Sequence, residues 1–489
     1  MVEIELRFQV PEHQHARLRR RVAQGAGPAQ VLQAVYFDTA DGRLAAAGLS
    51  LRLRREGRRW LQTVKGPADG AFGRIEHEVP VAGSGRSPPR LRLDRHDGSP
   101  AAPLLREALG DAAGLQPVFQ TEVQRTRRLL RHGGTLVELS LDEGWLRAGQ
   151  RAEPLFELEL EWREGPLAGL FALARRWLEP QGPWLEVRSK SARGAALAAG
   201  GSVPLPPWLR PALAADTGAD AALRAMVAAA LAFTLPAASA VAAGGRDPPA
   251  LHQLRVGLRR LRTALRLFGD ASPAVDAAWA PALAAVFDAL GAARDRDALA
   301  ESLVPALQAA GAALALLPPA PDTGDAPVQV LRQAEVGRLW LALADFAGGA
   351  PAAHDPPLAK RLPELLARLH RQLARDARRF AEADDEQRHR TRRRVKRLRY
   401  AIDFVAALHP GKAVRRYLKR LQAAQEALGR YNDLCVAQQA FRALADTDPR
   451  AWFAAGWLQA RRDVQVAQAA AALRRLARAR VFWPPARPG

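Results

Sequence analysis

In the first part of this 489-residue chain, charged side chains recur at every second position. Glu3, Glu5 and Arg7 alternate with Ile4, Leu6 and Phe8. The same spacing returns in Arg52 and Arg54, in Thr63 and Lys65, and in Arg74, Glu76 and Glu78. It returns again in Arg125 and Arg127, in Glu138 and Asp142, and in Glu157, Glu159 and Glu161. Alternate residues of an extended strand share a face, so each set lies on one side of its strand. Three carboxylates in a row repel one another unless cations lie between them. Hard divalent cations take carboxylate oxygens and bridge them to phosphates, while Arg and Lys grip phosphate from the other side. Acid strands, basic strands and a closed sheet together predict a lumen holding metal and a short polyphosphate. An ordinary solvated strand face is the competing reading.

A second constellation has helical spacing. LHQLRVGLRRLRTALRLF at 251–268 recurs as RHRTRRRVKRLRYAIDFV at 388–405, and both read H-x-x-R-x-x-x-[RK]-R-L-R. LGAARD at 290–295 and LGRYND at 428–433 form a second pair at nearly the same offset, which predicts a duplicated helical unit. On a helical wheel Leu254, Leu258, Leu261, Leu265 and Phe268 form a buried stripe. His252, Arg255, Arg259, Arg262 and Arg266 form a second stripe. In the other copy Val395, Leu398, Ile402 and Val405 face inward beside His389, Arg392, Lys396 and Arg399. Like charges at helical spacing destabilise by up to about 0.5 kcal/mol per pair, so an unrelieved stripe calls for an anion. A solvated basic face reinforced by an arginine-rich composition is the alternative. A metal on these histidines is not expected.

Two kinds of element must position these groups. Residues 1–198 alternate in EIELRFQV, LSLRLRRE, RWLQTVKG, FGRIEHEVPV, TLVELSLDEG and LFELELEW, with turn signals at Asp41-Gly42, Glu56-Gly57 and Glu143-Gly144. Helices are expected around 12–24 and 167–178. Residues 199–215 are rich in proline and glycine and read as a linker. The chain from 216 to 489 reads as all-helical, with repeats at about 216–325 and 326–489. The expected fold class is α+β multidomain, an antiparallel barrel followed by a duplicated helical domain.

The net charge of +22 favours a polyanionic partner, although abundant arginine and alanine also reflect a compositional bias. The single cysteine, Cys435, excludes an intrachain disulfide and fits a reducing compartment. No leader segment or charge-free apolar run of membrane-spanning length is read, so a cytoplasmic protein without a membrane partner is expected.

The strand half resembles the CYTH domain of the triphosphate tunnel metalloenzymes, whose signature is ExExK on the first strand. The resemblance is carried by EIELR at 3–7, VYFDTADGRL at 35–44, SLRLRREG at 50–57, WLQTVKG at 60–66, RIEHE at 74–78, ELELE at 157–161 and RSKSARG at 188–194. It implies an eight-stranded tunnel with Mg²⁺ or Mn²⁺ on Glu3, Glu5, Glu159 and Glu161, supported by Glu157 and Asp142. It also implies phosphate contacts from Arg52, Arg54, Lys65, Arg125 and Lys190, then Arg7, Arg74 and Arg127. Glu3, Glu5, Arg7 and Lys65 form the implied catalytic set. Arg7 stands where the family has lysine; it keeps the charge but cannot act as a titratable base.

The helical half resembles the CHAD domain over 216–489, a pair of four-helix bundles around a basic channel that binds inorganic polyphosphate. His252, Arg255, Arg259, Arg262, His389, Arg392, Lys396 and Arg399 are the implied phosphate contacts, with Arg260, Arg397, Lys412, Arg416 and Lys419 as further ones. Together the resemblances imply hydrolysis of inorganic triphosphate, or of a short polyphosphate end, next to a polyphosphate-binding module. They also imply association with polyphosphate granules. Two alternatives remain: a non-catalytic polyphosphate binder, and a tunnel acting on thiamine triphosphate or ATP. With only four tyrosines and no aromatic ladder among the basic stripes, nucleic acid is disfavoured as a partner.

Overall fold

The computed structural model describes residues 2–68, 73–83, 87–111, 114–180, 182–245, 247–290, 303, 305–312 and 326–484. It divides into two compact units that do not follow the chain: Met1–Pro207 with Leu231–Ala250 and Val328–Gly349, and Trp208–Ala230 with Leu251–Pro327 and Ala350–Gly489.

In the first unit eight antiparallel strands close on themselves. They are β1 (Val2–Gln9), β2 (Gln30–Asp38), β3 (Ser50–Glu56), β4 (Arg59–Pro67), β5 (Gly73–Val81), β6 (Gln116–His132), β7 (Thr135–Ala148) and β8 (Arg151–Glu164). The order is β5-β4-β3-β2-β6-β7-β8-β1, and β1 returns to β5 through Val2↔Ile75, Glu3↔Arg74 and Ile4↔Gly73. The far end of the same β1 edge takes a two-residue strand, β9 (Trp184–Leu185), at Phe8↔Leu185. Gly133 and Gly134, at φ 54° and 79°, supply the two left-handed residues that a tight β6–β7 hairpin requires.

The barrel is inverted, with its apolar residues facing outward. Leu6, Phe8, Leu51, Leu53, Val64, Leu139, Leu158 and Leu160 are fully buried under the covering helices. Each such burial contributes about 1.5–3 kcal/mol, so the outer face stabilises the barrel and frees the inner face for charge. α1 (His15–Ala23) lies on β6 and β7, α3 (Ala101–Leu109) on β4 and β5, and α4 (Leu167–Arg175) on β7 and β8, while α2 (Arg43–Ala46) precedes β3. The inner face is not charged throughout, as the alternation alone implies. Ala34 and Tyr36 stand opposite Arg54 and Arg52, and join Leu32, Phe119, Val123, Leu146 and Leu155 in an apolar patch. α5 (Lys190–Ala199) packs there. A Cβ on Gly194 would lie 2.2 Å from the Phe119 ring, so only glycine lets α5 come this close.

Further helices among the described residues include α6 (Ala219–Ala242), α7 (Pro248–Phe268), α8 (Trp279–Ala289), α9 (Ala326–Leu331), α10 (Ala334–Gly348), α11 (Leu362–Arg379), α12 (Asp385–Val405), α13 (Gly411–Ala445) and α14 (Ala451–Ala477). The expected apolar stripe of α7 is 0–6% exposed, and Val395, Leu398, Ile402 and Val405 of α12 are fully buried. Asp384 caps α12 by accepting from the Gln387 amide. Contrary to the sequence expectation, α6 is apolar and long enough to span a bilayer, with a mean hydropathy of 1.9 over its best window. Ala222, Leu223, Met226, Val227 and Ala230 are fully buried, as in a core helix. The 290–295 copy of the second repeat motif lies, after Leu290, outside the described residues.

Candidate active site and basic groove

Strand register brings the sorted charges of the barrel face to face. Glu5, Arg7 and Gln9 on β1 stand opposite Glu161, Glu159 and Glu157 on β8. Those in turn stand opposite Glu138, Ser140 and Asp142 on β7. Arg125 stands opposite Asp142, and Lys65 opposite Glu76. In an antiparallel ladder directly opposed residues share a face, so this register defines one continuous lining.

Within that lining Lys65, Arg125 and Lys190 are each shared among carboxylates. Lys65 Nζ donates to Glu3 at 2.5 Å and lies 3.3 Å from Glu76. Arg125 makes a two-pronged contact with Asp142 at 2.6 Å and reaches Glu159 at 2.6 Å. Lys190, the first residue of α5, lies 2.8 Å from both Asp142 and Glu157 and also bonds Glu159. Ser189 caps this helix by accepting from the Ala192 amide, which fixes where Lys190 starts. Although burial opposes its charge, the three carboxylates hold the Lys190 ammonium above its ordinary value. Lys190 and Arg125 together hold Glu159 well below the carboxylate range against the same burial penalty.

Other expected residues take different places. Arg7 Nε is 3.4 Å from Glu5, and its terminal nitrogens donate to the carbonyls of Val187 and Arg188. Arg52 donates to the Tyr36 hydroxyl at 3.3 Å, and Arg54 pairs with Glu56 and Glu78. Arg74 makes no ion pair among the described residues; burial and Arg7 push its guanidinium down to about 10. Arg127 is more outlying and meets Gln30 at an exposed position. Glu157 is fully buried and held by Gln9, Lys190 and Arg193. Arg193 and Arg163, which bridges Glu138 and Glu161, escaped the sequence reading. The only available signal for Arg193 was its place three residues after Lys190 in RSKSARG, one helical turn along.

Whether a hard cation fits this lining is answered by Glu161. Burial first, then the facing carboxylates of Glu3 and Glu138, push its carboxyl up to about 7, so negative charge converges there beyond what Arg163 and Lys65 offset. An oxygen-rich, carboxylate-only donor set of this kind suits Mg²⁺ or Mn²⁺. Among the described residues no group of three His, Cys, Asp or Glu side chains is already gathered at ligating distance. The cations occupy the carboxylates instead.

The second unit carries a groove of about 1460 Å³ between α7 and α12, extended by residues of α8 and α13. Its lining brings together His252, Arg255, Arg259, Arg262, His389, Arg392, Lys396 and Arg399, along with Arg260, Arg397 and Arg266. Lys412, Arg416 and Lys419 are not among the lining residues and are exposed along α13. Arg255, Arg259 and Arg262 have their guanidinium carbons 4.4–5.8 Å from the Phe287 ring centroid, which braces three cations side by side. Arg259 donates to the Tyr400 hydroxyl, and the more buried Arg260 contacts Asp403. Burial first, then neighbouring guanidiniums, push Arg397 and His389 below their ordinary values. Phe287 was invisible to the motif alignment because it lies on a different helix.

Residues 1–194 match the model of the CYTH domain, and residues 220–442 match that of the CHAD domain. An inorganic triphosphatase of Haemophilus influenzae is 27% identical over 162 residues, which are 32% of this chain and 44% of that one. The chain thus spans under half the length of that curated relative. The CHAD domain of Ricinus communis is 33% identical, covering 55% of this chain and 96% of that one, with a TM-score of 0.46. HpAC1 of Hippeastrum, an adenylyl cyclase candidate with a dominant triphosphatase activity, is 16% identical over 42% and 97% of the two chains, with a TM-score of 0.28.

Proposed function

The chain belongs to the CYTH family through residues 1–194 and to the CHAD family through residues 220–442, and from that premise we propose that it hydrolyses inorganic triphosphate, or a polyphosphate end, in the barrel and binds inorganic polyphosphate in the groove. The observation that carries this reading is the closed barrel whose lining interleaves carboxylates with Lys65, Arg125 and Lys190. Such a lining suits a ligand that brings both signs of charge, a metal and a phosphate chain.

Glu3, Glu5, Glu159 and Glu161 would hold Mg²⁺ or Mn²⁺, with Glu138 beside them. A bound divalent cation supplies Lewis acidity toward phosphate oxygens and lowers the pKa of a water. Lys65, Arg125 and Lys190 turn from carboxylate to phosphate, with each charge-assisted hydrogen bond replaced by another of similar strength. Arg74, which makes no ion pair among the described residues, meets phosphate at no such exchange. Buried cations fixed around the chain stabilise the charge that develops on the terminal phosphoryl group as water attacks. Arg7 cannot move a proton at physiological pH, so its part is charge and orientation.

In the groove, guanidiniums already depressed by one another gain most from an anion. A repeating phosphate chain meets the duplicated motif of α7 and α12 with the same chemistry on both sides.

The test is phosphate release from triphosphate, ATP and long-chain polyphosphate, with and without Mg²⁺ or Mn²⁺. It is run on the wild type and on the Glu5→Gln/Glu159→Gln double variant. Metal-dependent release from triphosphate that disappears in the variant supports the reading. Full activity in the variant, or release only from ATP, refutes it. Tight polyphosphate binding without turnover would reduce the protein to a binder.

A further inference from the structure

The strap after β9 connects Arg7 to a helix that the barrel sequence does not contain. Arg7 Nη2 donates to the Val187 carbonyl at 3.0 Å and Nη1 to the Arg188 carbonyl at 3.3 Å. The Glu186 amide returns a bond to the Arg7 carbonyl at 2.8 Å, and the buried Glu186 carboxylate accepts from the Arg188 amide, Nε and Nη2. This strap has a second anchor. Ser239, on α6 and 2% exposed, accepts from the Val187 amide at 3.1 Å and donates to the Leu185 carbonyl at 3.1 Å. Its own carbonyl accepts from Arg188 at 3.4 Å.

We propose that Ser239 is a positioning residue for Arg7. One hydroxyl satisfies a donor and an acceptor two residues apart on the strap, and so sets the direction of the Val187 and Arg188 carbonyls. Those two carbonyls are the acceptors that hold the guanidinium, leaving Nε turned toward Glu5. A guanidinium presents donors in a planar fork, whereas an ammonium presents a compact point charge. Arginine at position 7 is therefore matched to a strap with two carbonyls in a set orientation, and Ser239 sets that orientation. Ser239 lies in the CHAD-matched segment, yet packs within the first compact unit, so a helix outside the CYTH match completes the seating of a tunnel residue. The inference rests on the tunnel being the active site for its effect on turnover, but not for its effect on the strap.

The test is a double-mutant cycle of Ser239→Ala and Arg7→Met in the full chain, read first by hydrogen exchange at the Glu186 and Arg188 amides. Neither amide bonds Ser239 directly, so a change there reports the strap. Loss of the two hydroxyl bonds should speed this exchange at least about tenfold. Arg7→Met, read from the other end of the same chain of bonds, should do likewise, and the double variant should add little. Triphosphate turnover should fall about tenfold in Ser239→Ala and be insensitive to Ser239 in the Arg7→Met background. Unchanged strap exchange in Ser239→Ala, or fully additive effects, would overturn the proposal. A wild type inactive on triphosphate would overturn the proposed function alone, and the exchange cycle would still decide the role of Ser239.

Discussion

Lys190→Met removes the ammonium that three carboxylates share. Asp142 and Glu157 lie 2.8 Å from it and Glu159 is also bonded, while the side chain is only 13% exposed. At an effective dielectric of about 20, each such pair is worth about 6 kcal/mol of Coulomb attraction before desolvation. Breaking a buried ion pair by deleting one partner costs about 3–5 kcal/mol net. Arg125 and Arg193 still reach the same carboxylates, so the lower end, about 3 kcal/mol, is expected near pH 8. For a unit of this size that is about 6–12 °C in melting temperature. Burial already holds the Glu157 carboxyl above its ordinary value; without Lys190 it rises further and Glu159 loses a cation that holds it down, so the variant's folded state binds more protons than the wild type's. The penalty is then fully present at pH 8 and shrinks as the pH falls toward 5. Calorimetric melts of both proteins across this range measure the difference. A deficit that is absent at pH 8, or that grows on acidification, would refute the assignment of Lys190 as the counter-ion of this cluster. Turnover of triphosphate should fall about 10–100-fold in the same variant, the worth of one charge-assisted contact.

Gly194→Ala should destabilise by about 1–3 kcal/mol in a urea titration, because its Cβ meets the Phe119 ring and pushes α5 away from the lining. On the outer barrel face His96, 1% exposed, contacts His77 and Gln62 at 2.8 Å. Burial, then His77, push the His96 ring down to about 4, so the unfolded state protonates first. Stability should therefore fall by up to about 3 kcal/mol as the pH drops from about 6.5 to 4, and His96→Asn should flatten that slope in denaturant midpoints. In the groove Arg259→Ala with Lys396→Ala should weaken polyphosphate binding at least about tenfold and lower its log–log salt slope by about two, leaving triphosphate turnover unchanged. Glu161→Gln should weaken Mn²⁺ binding measured calorimetrically at pH 8, since it removes a carboxylate from the site where Glu3 and Glu138 converge.

Six of the eight barrel strands were legible from period-two alternation. β2 and β6 were not among the runs singled out. In β6 long polar stretches dilute the pattern, and β2 interleaves Gln33 and Val35 with buried Leu32, Ala34 and Tyr36. The charged residues were legible because strand geometry alone sorts them by face. Their partners were not: Lys65 meets Glu3 across a separation of 62 residues, and Lys190 meets Asp142 only because α5 packs against Phe119. The same holds in the helical half. The repeated histidine and arginine register could be read directly, whereas Phe287, which braces three of the guanidiniums, belongs to another helix.

The sequence by itself determined the local periodicities. Alternate residues of a strand share a face and residues three or four apart on a helix share another, so charge sorting and the duplicated motif were set before any folding. The tertiary structure alone decided that β1 closes on β5, that an apolar patch ends the charged lining, and that α6 and α10 lend residues to the barrel unit. Closure and packing join residues tens to hundreds of positions apart. The free energy of those contacts depends on what the intervening chain makes adjacent, which no local pattern encodes.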